Sequence, residues 1–539
     1  MSSRVYDFAL AAASGVLLAL SFPKFGHPSL AWVALAPLLV ALTPPARLSS
    51  RDRSLRRALL LGLFTGIIYF TGTLYWITLV MAVYGGLQQW VAVLVNAALI
   101  AYLALFPAVF AIVMRRLVLA YGPRALAAAP AVWVATELGR THVFTGFPWV
   151  LLGYSQTTVL PVAQFASIFG VYGVSMLVAS VSAALAMVMA DGAPEGPPRV
   201  RARPERSDVG RPFRAATAIR FAPIVIVLVV LAGIAAWGAR RASAAAWTRE
   251  GEAIRVGLIQ GNIDQAVKRN ESHANAIFQG YISKTREALQ RGAEFVIWPE
   301  SSTPFMFEED ADASSQIRML ARQAQVPILV GSDQVERGPG ASFKYYNSAF
   351  LVRADGTSGT AYRKMHLVPF GEYVPLKRLL FFAAPLVEAV SDFSAGEEAV
   401  LLPVGNHMVS TAICYEVVYP DLVRQFVVGG SEMLTTITND AWFGATSAPY
   451  QHFEQASMRA IEEGRYLVRS ANTGVSGIVD PYGRVLERTD IFQAAVLVGE
   501  ARFLRTSTYY SRHGDVIAYA STVVTALLLL IAVGNRFRR

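Results

Sequence analysis

The sequence contains a single cysteine, Cys414, among 539 residues. One thiol cannot form an intramolecular disulfide bond, which excludes a fold held together by disulfides. Charged residues are also scarce, at 16% of the chain against 54% hydrophobic residues, and this balance excludes an ordinary water-soluble protein. The seven histidines are scattered, without an HExxH pair or a Cys-His cluster. We therefore expect no metal ion and no cofactor.

A missing motif and the distribution of charge narrow the possible functions further. The sequence has no GxSxG motif, so a serine hydrolase of that type is not expected. Its net charge of +10 comes largely from loops between apolar segments, so the basic balance does not predict a nucleic-acid partner.

Long apolar runs are abundant on both sides of residues 252–505. Windows of about twenty residues predict about eight membrane spans. These lie at 5–23, 28–43, 58–80, 90–115, 125–145, 163–190, 218–240 and 515–535. The sequence therefore predicts a helical membrane bundle over 1–241, a water-soluble domain over 252–505, and a final span with a basic tail over 512–539.

Arginine-rich loops indicate the orientation in the membrane. Basic stretches follow the second, fourth and sixth predicted spans and close the chain, while the opposite loops are nearly uncharged. The basic side is expected to be cytoplasmic. We therefore expect a bacterial inner-membrane protein with both termini in the cytoplasm and residues 252–505 in the periplasm. The Pro- and Arg-rich stretch 191–217 is predicted to be a disordered cytoplasmic loop.

Strand and helix patterns alternate over residues 252–505, which predicts an α/β layered fold. Three polar residues end strand-like runs: Glu300 in VIWPE, Lys364 in TAYRK and Cys414 in STAIC. Loops at strand ends converge at one edge of such a domain. A thiol nucleophile needs a base for its proton and a cation or N–H donor for the oxyanion. These residues are therefore predicted to form a covalent catalytic site.

This combination resembles the Glu-Lys-Cys triad of the nitrilase superfamily, and the whole chain is similar to the apolipoprotein N-acyltransferase family. The stretches that carry the resemblance are GNIDQ (261–265), WPES (298–301), YYNS (345–348), KMHLVPFGEYVP (364–375), CYE (414–416), NDAWFG (439–444) and TGFPWVLLGYSQ (145–156). The resemblance implies an α-β-β-α sandwich for residues 252–505. It also implies transfer of an acyl chain from a phospholipid to the α-amine of a diacylglyceryl-modified cysteine on an apolipoprotein, through a Cys414 thioester.

Within this resemblance, Glu300 is the base and Lys364 stabilises the oxyanion together with the backbone N–H that follows Cys414. Lys364 and the helix start after Cys414 are expected to favour the thiolate. Glu372 is expected to orient Lys364 or the substrate.

Aromatic and acidic neighbours are expected to surround this triad. Tyr415 and Glu416 are expected to shape the pocket beside the nucleophile, and Trp442 and Phe443 to line an acyl groove. Trp149 is expected either to contact lipid at the site entrance or to anchor the protein at the membrane interface.

Two other functions stay open at this level. A transporter would account for many spans, with Glu137 and Arg140 as functional charges, although these residues could instead shape the mouth of the site from the outer end of the fifth span. A membrane-tethered amidase or lipid hydrolase would use the same triad with water as acceptor. The membrane bundle favours a lipid substrate and contact with membrane lipid. The chain is expected to be a monomer.

Overall fold

The computed structural model describes residues 3–43, 54–190, 213–268, 271–338, 342–359, 361–369, 371–373 and 393–537. The predicted disordered loop at 191–217 lies outside these residues up to position 212. From Phe213 onward the chain is helical, so the end of that prediction is wrong. The alanine-rich stretch FRAATAIRF has enough helix propensity to extend the apolar helix that follows it.

The N-terminal region is built from apolar helices. These are α1 (Ser3–Ala19), α2 (Ala31–Ala34), α3 (Ala36–Ala41), α4 (Leu55–Leu74), α5 (Trp76–Leu79), α6 (Gln89–Tyr121), α7 (Ala129–His142), α8 (Leu160–Ala163), α9 (Ala166–Ala190) and α10 (Phe213–Ala244).

Two sheets with flanking helices follow the bundle. The strands are β1 (Ala253–Gln260), β2 (Phe295–Ile297), β3 (Ile328–Arg337), β4 (Phe343–Val352), β5 (Tyr362–Arg363), β6 (Leu402–Val404), β7 (His407–Ile413), β8 (Met433–Thr438), β9 (Leu467–Ala471), β10 (Gly477–Val479), β11 (Val485–Arg488) and β12 (Ala495–Arg502). The helices are α11 (Gln265–Lys268), α12 (Ala274–Gln290), α13 (Ala311–Ala324), α14 (Pro420–Val428) and α15 (Ala448–Glu463). The chain closes with α16 (Tyr509–His513) and α17 (Val516–Phe537).

Five of the described helical segments are long and apolar enough to cross a membrane. They are Leu55–Leu74, Gln89–Tyr121, Ala166–Ala190, Arg220–Arg249 and Val516–Gly534. The protein is therefore an integral membrane protein. The other predicted spans correspond to shorter helices, namely α1 with 17 residues, the α2–α3 pair, and α7 with 14 residues. A crossing by these three segments stays a prediction.

Helices α4 and α6 approach each other closely because two glycines of α4 face α6. A Cβ on Gly62 would lie 2.5 Å from the carbonyl oxygen of Pro107, and a Cβ on Gly66 would lie 2.7 Å from the Cα of Ala104. Small residues allow this close approach where no hydrophobic effect drives helices together.

Each sheet has six strands, in the orders β12-β1-β2-β3-β4-β5 and β11-β10-β9-β8-β7-β6, here the first and second sheets. Strands β1, β2 and β3 are parallel, as are β7, β8 and β9. Strands β2 and β8 are buried along their whole length because both faces of their sheets are covered. The parallel strands therefore end at common edges, and the predicted α-β-β-α layering is confirmed.

Helix α15 connects the two-sheet domain to the membrane bundle. The indole Nε1 of Trp149 donates to Gln451 Oε1 at 2.8 Å, and the backbone N–H of Val171 donates to Glu462 Oε1 at 2.7 Å. All four residues are buried. Because unpaired buried polar groups are costly, these bonds fix how the domain sits on the bundle.

Candidate active site

The three residues of the predicted triad each follow a strand. Glu300 comes after β2, Lys364 directly after β5 and Cys414 directly after β7. The backbone N–H of Lys364 donates to the carbonyl of Asn347 at 2.8 Å, which continues the pairing of β5 with β4. The first sheet therefore supplies the acid and the lysine, and the second sheet supplies the thiol.

Lys364 lies in a cluster of buried charges. Its Nζ is 2.8 Å from Glu372 Oε1 and 3.4 Å from Glu300 Oε1, and its side chain is only 1% exposed. Burial by itself would lower the pKa of Lys364, but the carboxylates of Glu372 and Glu300 raise it above the usual range. Lys364 is therefore cationic at neutral pH. Glu372 lies within reach of Lys364, and its expected role of orienting Lys364 or the substrate stays a prediction.

Two asparagines hold the carboxylate of Glu300 in place. The side-chain amide of Asn347 donates to Glu300 Oε1 at 2.7 Å and to Glu372 Oε1 at 3.0 Å. The backbone N–H of Asn439 donates to Glu300 Oε2 at 2.8 Å. Sequence reasoning did not identify Asn347, although the YYNS stretch that carries the family resemblance contains it.

Cys414 has a strained backbone, with φ of 53° at a non-glycine residue. Burial raises the pKa of its thiol well above the usual range, and the negative charge of Glu300 raises it further, while Lys364 acts in the opposite direction. Lys364 therefore favours the thiolate as expected, but burial and the charge of Glu300 outweigh it, and the resting thiol is protonated. A buried thiol of this kind needs a base to remove its proton.

A second buried cluster, formed by His452, Asp440 and Arg469, lies behind the nucleophile. His452 Nε2 is 3.1 Å from the carbonyl oxygen of Cys414, which can only accept, so Nε2 carries a proton. Burial, and then the charge of Arg469, lower the pKa of His452, so the ring is neutral and its Nδ1 accepts from Arg469 Nη2 at 2.9 Å. Arg469 also pairs with Asp440 Oδ2 at 3.0 Å. No sequence signal identified His452.

Glu416 joins the strand of the nucleophile to the segment of the lysine. Its carboxylate accepts from four donors at 2.6 to 3.0 Å. These are the backbone N–H groups of Ile413, Met365 and His366 and the hydroxyl of Tyr362. Burial raises the pKa of Glu416 to about 7 despite these bonds. Glu416 has no exposed surface and holds the neighbouring segments in position, and its expected role in shaping the pocket beside the nucleophile stays a prediction.

Aromatic residues of the bundle pack under the nucleophile. The ring of Trp149 stacks on that of Tyr415 with centroids 6.3 Å apart, and it contacts Phe443 at 5.9 Å. Because Trp149 is only 1% exposed, the alternative in which it anchors the protein at the membrane interface is wrong. Contact of Trp149 and Tyr415 with substrate stays a prediction.

The two aromatic residues after β8 contact the bundle. The ring of Trp442 lies 5.9 Å from that of Tyr84, and Phe443 lies 5.0 Å from Trp76. Both Trp442 and Phe443 are half-buried. Their predicted role in an acyl groove stays a prediction, and this boundary between domain and bundle is where such a groove would run.

Glu137 and Arg140 are buried in the bundle and hold the loop that carries Trp149. Glu137 Oε1 accepts from the backbone N–H of Leu152 at 2.7 Å, and Arg140 Nη1 donates to the carbonyl of Trp149 at 2.6 Å. These contacts explain both charges without a transport pathway. They also place both buried side chains under the loop, so neither lines an open entrance to the site.

Two mixed sheets that carry a Glu, a Lys and a Cys at their strand ends define a carbon-nitrogen hydrolase domain of the nitrilase type. The carbon-nitrogen hydrolase family profile matches residues 255–509, and that of the apolipoprotein N-acyltransferase N-terminal domain matches residues 14–184. The chain belongs to the apolipoprotein N-acyltransferase family.

Full-length relatives carry the family name. The apolipoprotein N-acyltransferase of Geobacter metallireducens is 40% identical over 534 residues, covering 99% of this chain and 96% of the relative. That of Methylococcus capsulatus is 33% identical over 514 residues, covering 94% and 92%. Among solved structures, an amidase from Nesterenkonia sp. matches with 21% identity, 48% of this chain, 93% of the amidase and a TM-score of 0.36.

Proposed function

We propose that this protein acylates the α-amino group of the diacylglyceryl-modified N-terminal cysteine of apolipoproteins, with a membrane phospholipid as acyl donor. The observation that carries the proposal is the buried approach of Glu300 and Lys364, whose charges both act on the Cys414 thiol. The stacking of Tyr415 on Trp149 supports a lipid substrate, because the residue next to the nucleophile touches the membrane bundle.

In the first half-reaction, the Glu300 carboxylate takes the proton from Cys414 Sγ as the sulfur attacks the ester carbonyl of the phospholipid. The carbonyl oxygen becomes an oxyanion, which the Lys364 ammonium and the backbone N–H after Cys414 stabilise. The C–O bond then breaks, and Glu300 returns the proton to the leaving alkoxide, releasing a lysophospholipid. The acyl chain stays on Cys414 as a thioester.

In the second half-reaction, the α-amine of the apolipoprotein attacks the thioester carbon. Glu300 accepts a proton from the attacking nitrogen, the C–S bond breaks, and the Cys414 sulfur regains a proton. The product is an amide. A thioester is reactive enough towards an amine that the reaction needs no cofactor.

Glu372 and Asn347 are the positioning residues of this scheme. Glu372 Oε1 accepts from both Lys364 Nζ and the Asn347 amide, so it holds the cation that must face the oxyanion. Its other oxygen, Oε2, accepts from the backbone N–H of Val368 at 2.8 Å, which ties the carboxylate to the main chain.

The mass of the protein after incubation with a phospholipid in the absence of acceptor tests the reaction. We expect the mass of one acyl chain on Cys414, and loss of that mass when a diacylglyceryl-modified peptide is added. Cys414→Ala is the control and should gain nothing. Release of the chain as free fatty acid at the same rate with and without peptide would indicate a hydrolase instead. Normal acylation of the peptide without any adduct would contradict the thioester.

The proposed location is the bacterial inner membrane, with the two-sheet domain in the periplasm and both termini in the cytoplasm. The protein is proposed to be a monomer. A tag inserted at the exposed turn of Gly405, between β6 and β7, should react with a reagent that reaches only the periplasm. A tag after Arg539 should be protected. A protected Gly405 tag would contradict the proposed side of the membrane.

A further inference from the structure

A polar cavity lies away from the candidate active site. It has a volume of about 540 Å³, and four arginines line it, Arg424, Arg465, Arg505 and Arg512. We call it the arginine pocket. Glu432 is the one carboxylate in its lining, and the exposed Val428 lies at its rim.

The arginine pocket and Cys414 lie at opposite ends of the second sheet. The backbone N–H of Glu432 donates to the carbonyl of Met408 at 2.8 Å, beside the first residues of β7. Cys414 follows the last residue of the same strand. With about 3.3 Å per residue, the length of β7 separates the two sites by roughly 20 Å. The pocket is therefore not part of the triad site.

Backbone carbonyls hold three of the four guanidinium groups of the arginine pocket in place. Arg424 donates from Nε to Ser511 and from Nη2 to the carbonyl of Arg512, both at 3.0 Å. Arg512 donates from Nε to Thr508 at 3.2 Å, and the buried Arg465 donates from Nε to Ser431 at 2.8 Å.

These bonds leave N–H donors unused on fixed cations. Nη1 of Arg424, Nη2 of Arg465 and both Nη atoms of Arg512 have no hydrogen-bond partner among the described residues. Fixed guanidinium groups with free donors match the oxygens of a phosphate group.

The charges of the arginine pocket are unbalanced. Glu432 is already engaged, because it accepts from Arg505 at 3.2 Å and from His407 at 2.7 Å. Four guanidinium groups therefore line the pocket with one carboxylate, which is shared with a histidine. Glu463, behind the lining, also acts on Arg424 and Arg465, but burial raises the pKa of its carboxyl well above the usual range. Such an excess favours an anionic ligand.

The surroundings of the arginine pocket indicate that this anion belongs to a lipid. Arg512 lies in α16, and the membrane helix α17 begins shortly after it, at Val516. Val428 of the lining is 64% exposed, and Tyr509 and Val516, which lie within four residues of Arg512 in the chain, are 41% and 44% exposed. A basic cavity next to exposed apolar side chains at the end of a span fits an amphipathic ligand better than a free ion.

We propose that the arginine pocket binds the phosphate headgroup of an anionic phospholipid in the leaflet next to the two-sheet domain. The bound lipid is distinct from the acyl donor at Cys414 and holds the start of α17 against α14. The proposal does not rest on the proposed acyl transfer, since lipid binding can be measured without turnover.

Native mass spectrometry of the full chain in detergent tests the proposal with phosphatidylglycerol and phosphatidylcholine as probes. We expect the wild-type protein to retain phosphatidylglycerol in preference to phosphatidylcholine. The exposed arginines are changed together, as Arg505→Gln with Arg512→Gln. We expect this double variant to bind phosphatidylglycerol about thirtyfold more weakly, from two lost arginine contacts at a membrane surface.

Arg249→Gln is the matched control. Arg249 is exposed just beyond α10, where it donates to the carbonyl of Ala244 at 3.0 Å, but it does not line the pocket. We expect its retention of phosphatidylglycerol to equal that of the wild type.

Three results would overturn the proposal. The first is equal retention of phosphatidylglycerol by the double variant and the wild type. The second is an equal loss in Arg249→Gln, which would indicate a general surface charge effect. The third is displacement of the lipid by inorganic phosphate at equal concentration, which would identify a free-anion site.

Discussion

Two buried charged clusters lie on either side of Cys414, and they use their charges differently. In the lysine cluster, Lys364 contacts the side chains of Glu300 and Glu372, and the charges of Lys364 and Glu300 both act on the thiol. In the histidine cluster, Asp440 pairs with Arg469, Arg469 donates to His452, and His452 donates to the backbone carbonyl of Cys414.

The difference indicates two uses of buried charge. The charged groups of the lysine cluster that act on the thiol can move protons and stabilise an oxyanion, whereas a group that donates to a main-chain carbonyl holds a conformation. The strained φ of Cys414 requires such support. Arg140 of the bundle also holds a conformation, because it donates to the backbone carbonyl of Trp149.

The largest expected effect comes from the nucleophile that both clusters serve. Cys414→Ser should lower the rate of acyl transfer by about three orders of magnitude or more, because a serine hydroxyl is far harder to deprotonate than a thiol. Transfer of a labelled acyl chain to an acceptor peptide measures the rate. The amount of folded protein extracted from membranes should not change. Near-normal activity would exclude covalent catalysis by Cys414.

The next largest effect is expected in the lysine cluster. Lys364→Met should slow formation of the Cys414 thioester by about 10²–10³, the usual loss when an oxyanion donor is removed. Rapid quenching followed by intact-mass measurement gives the rate. Lys344→Met, on the exposed start of β4, is the matched control and should leave the rate unchanged. Unaltered thioester formation would place the role of Lys364 outside the first half-reaction.

A smaller effect is expected in the histidine cluster. His452→Leu leaves the buried carbonyl of Cys414 without its donor, which should cost about 1–3 kcal/mol of unfolding free energy. We expect about a tenfold lower rate of acyl transfer, because the strained backbone is less well held. Chemical denaturation and the transfer assay measure the two quantities. The effect should be geometric, so the pH dependence of Cys414 alkylation should keep its wild-type shape. A displaced alkylation profile would assign His452 an electrostatic role.

The smallest expected effect is a shift in the pH dependence of Cys414 alkylation, and it separates the electrostatic effect of Glu300 from its role as a base. The charge of Glu300 raises the pKa of the Cys414 thiol, so Glu300→Gln should lower that pKa and increase the thiolate fraction at a given pH. Alkylation by iodoacetamide, which has a single thiol to label, should therefore begin at lower pH, although acyl transfer falls. Glu287→Gln, an exposed acid of α12, should change neither property. Slower alkylation in Glu300→Gln would contradict the assigned sign.

Local patterns in the sequence determined much of this protein. Apolar runs marked the five long membrane helices, because span length and composition are properties of contiguous residues. Alternating strand and helix patterns determined the layered domain and placed Glu300, Lys364 and Cys414 at strand ends. Family motifs pointed to Glu372, which lies 2.8 Å from Lys364 Nζ.

Only the tertiary structure decided which distant groups meet. Asn347 donates to Glu300, 47 positions away in the sequence, and His452 donates to the carbonyl of Cys414, 38 positions away. No local sequence pattern predicts either hydrogen bond. Strand β12 pairs with β1 from the far end of the domain. The protonation state of the Cys414 thiol also depends on the tertiary structure. Its pKa is set by the exclusion of water, to which the whole fold contributes, and by the carboxylate of Glu300 from the other sheet.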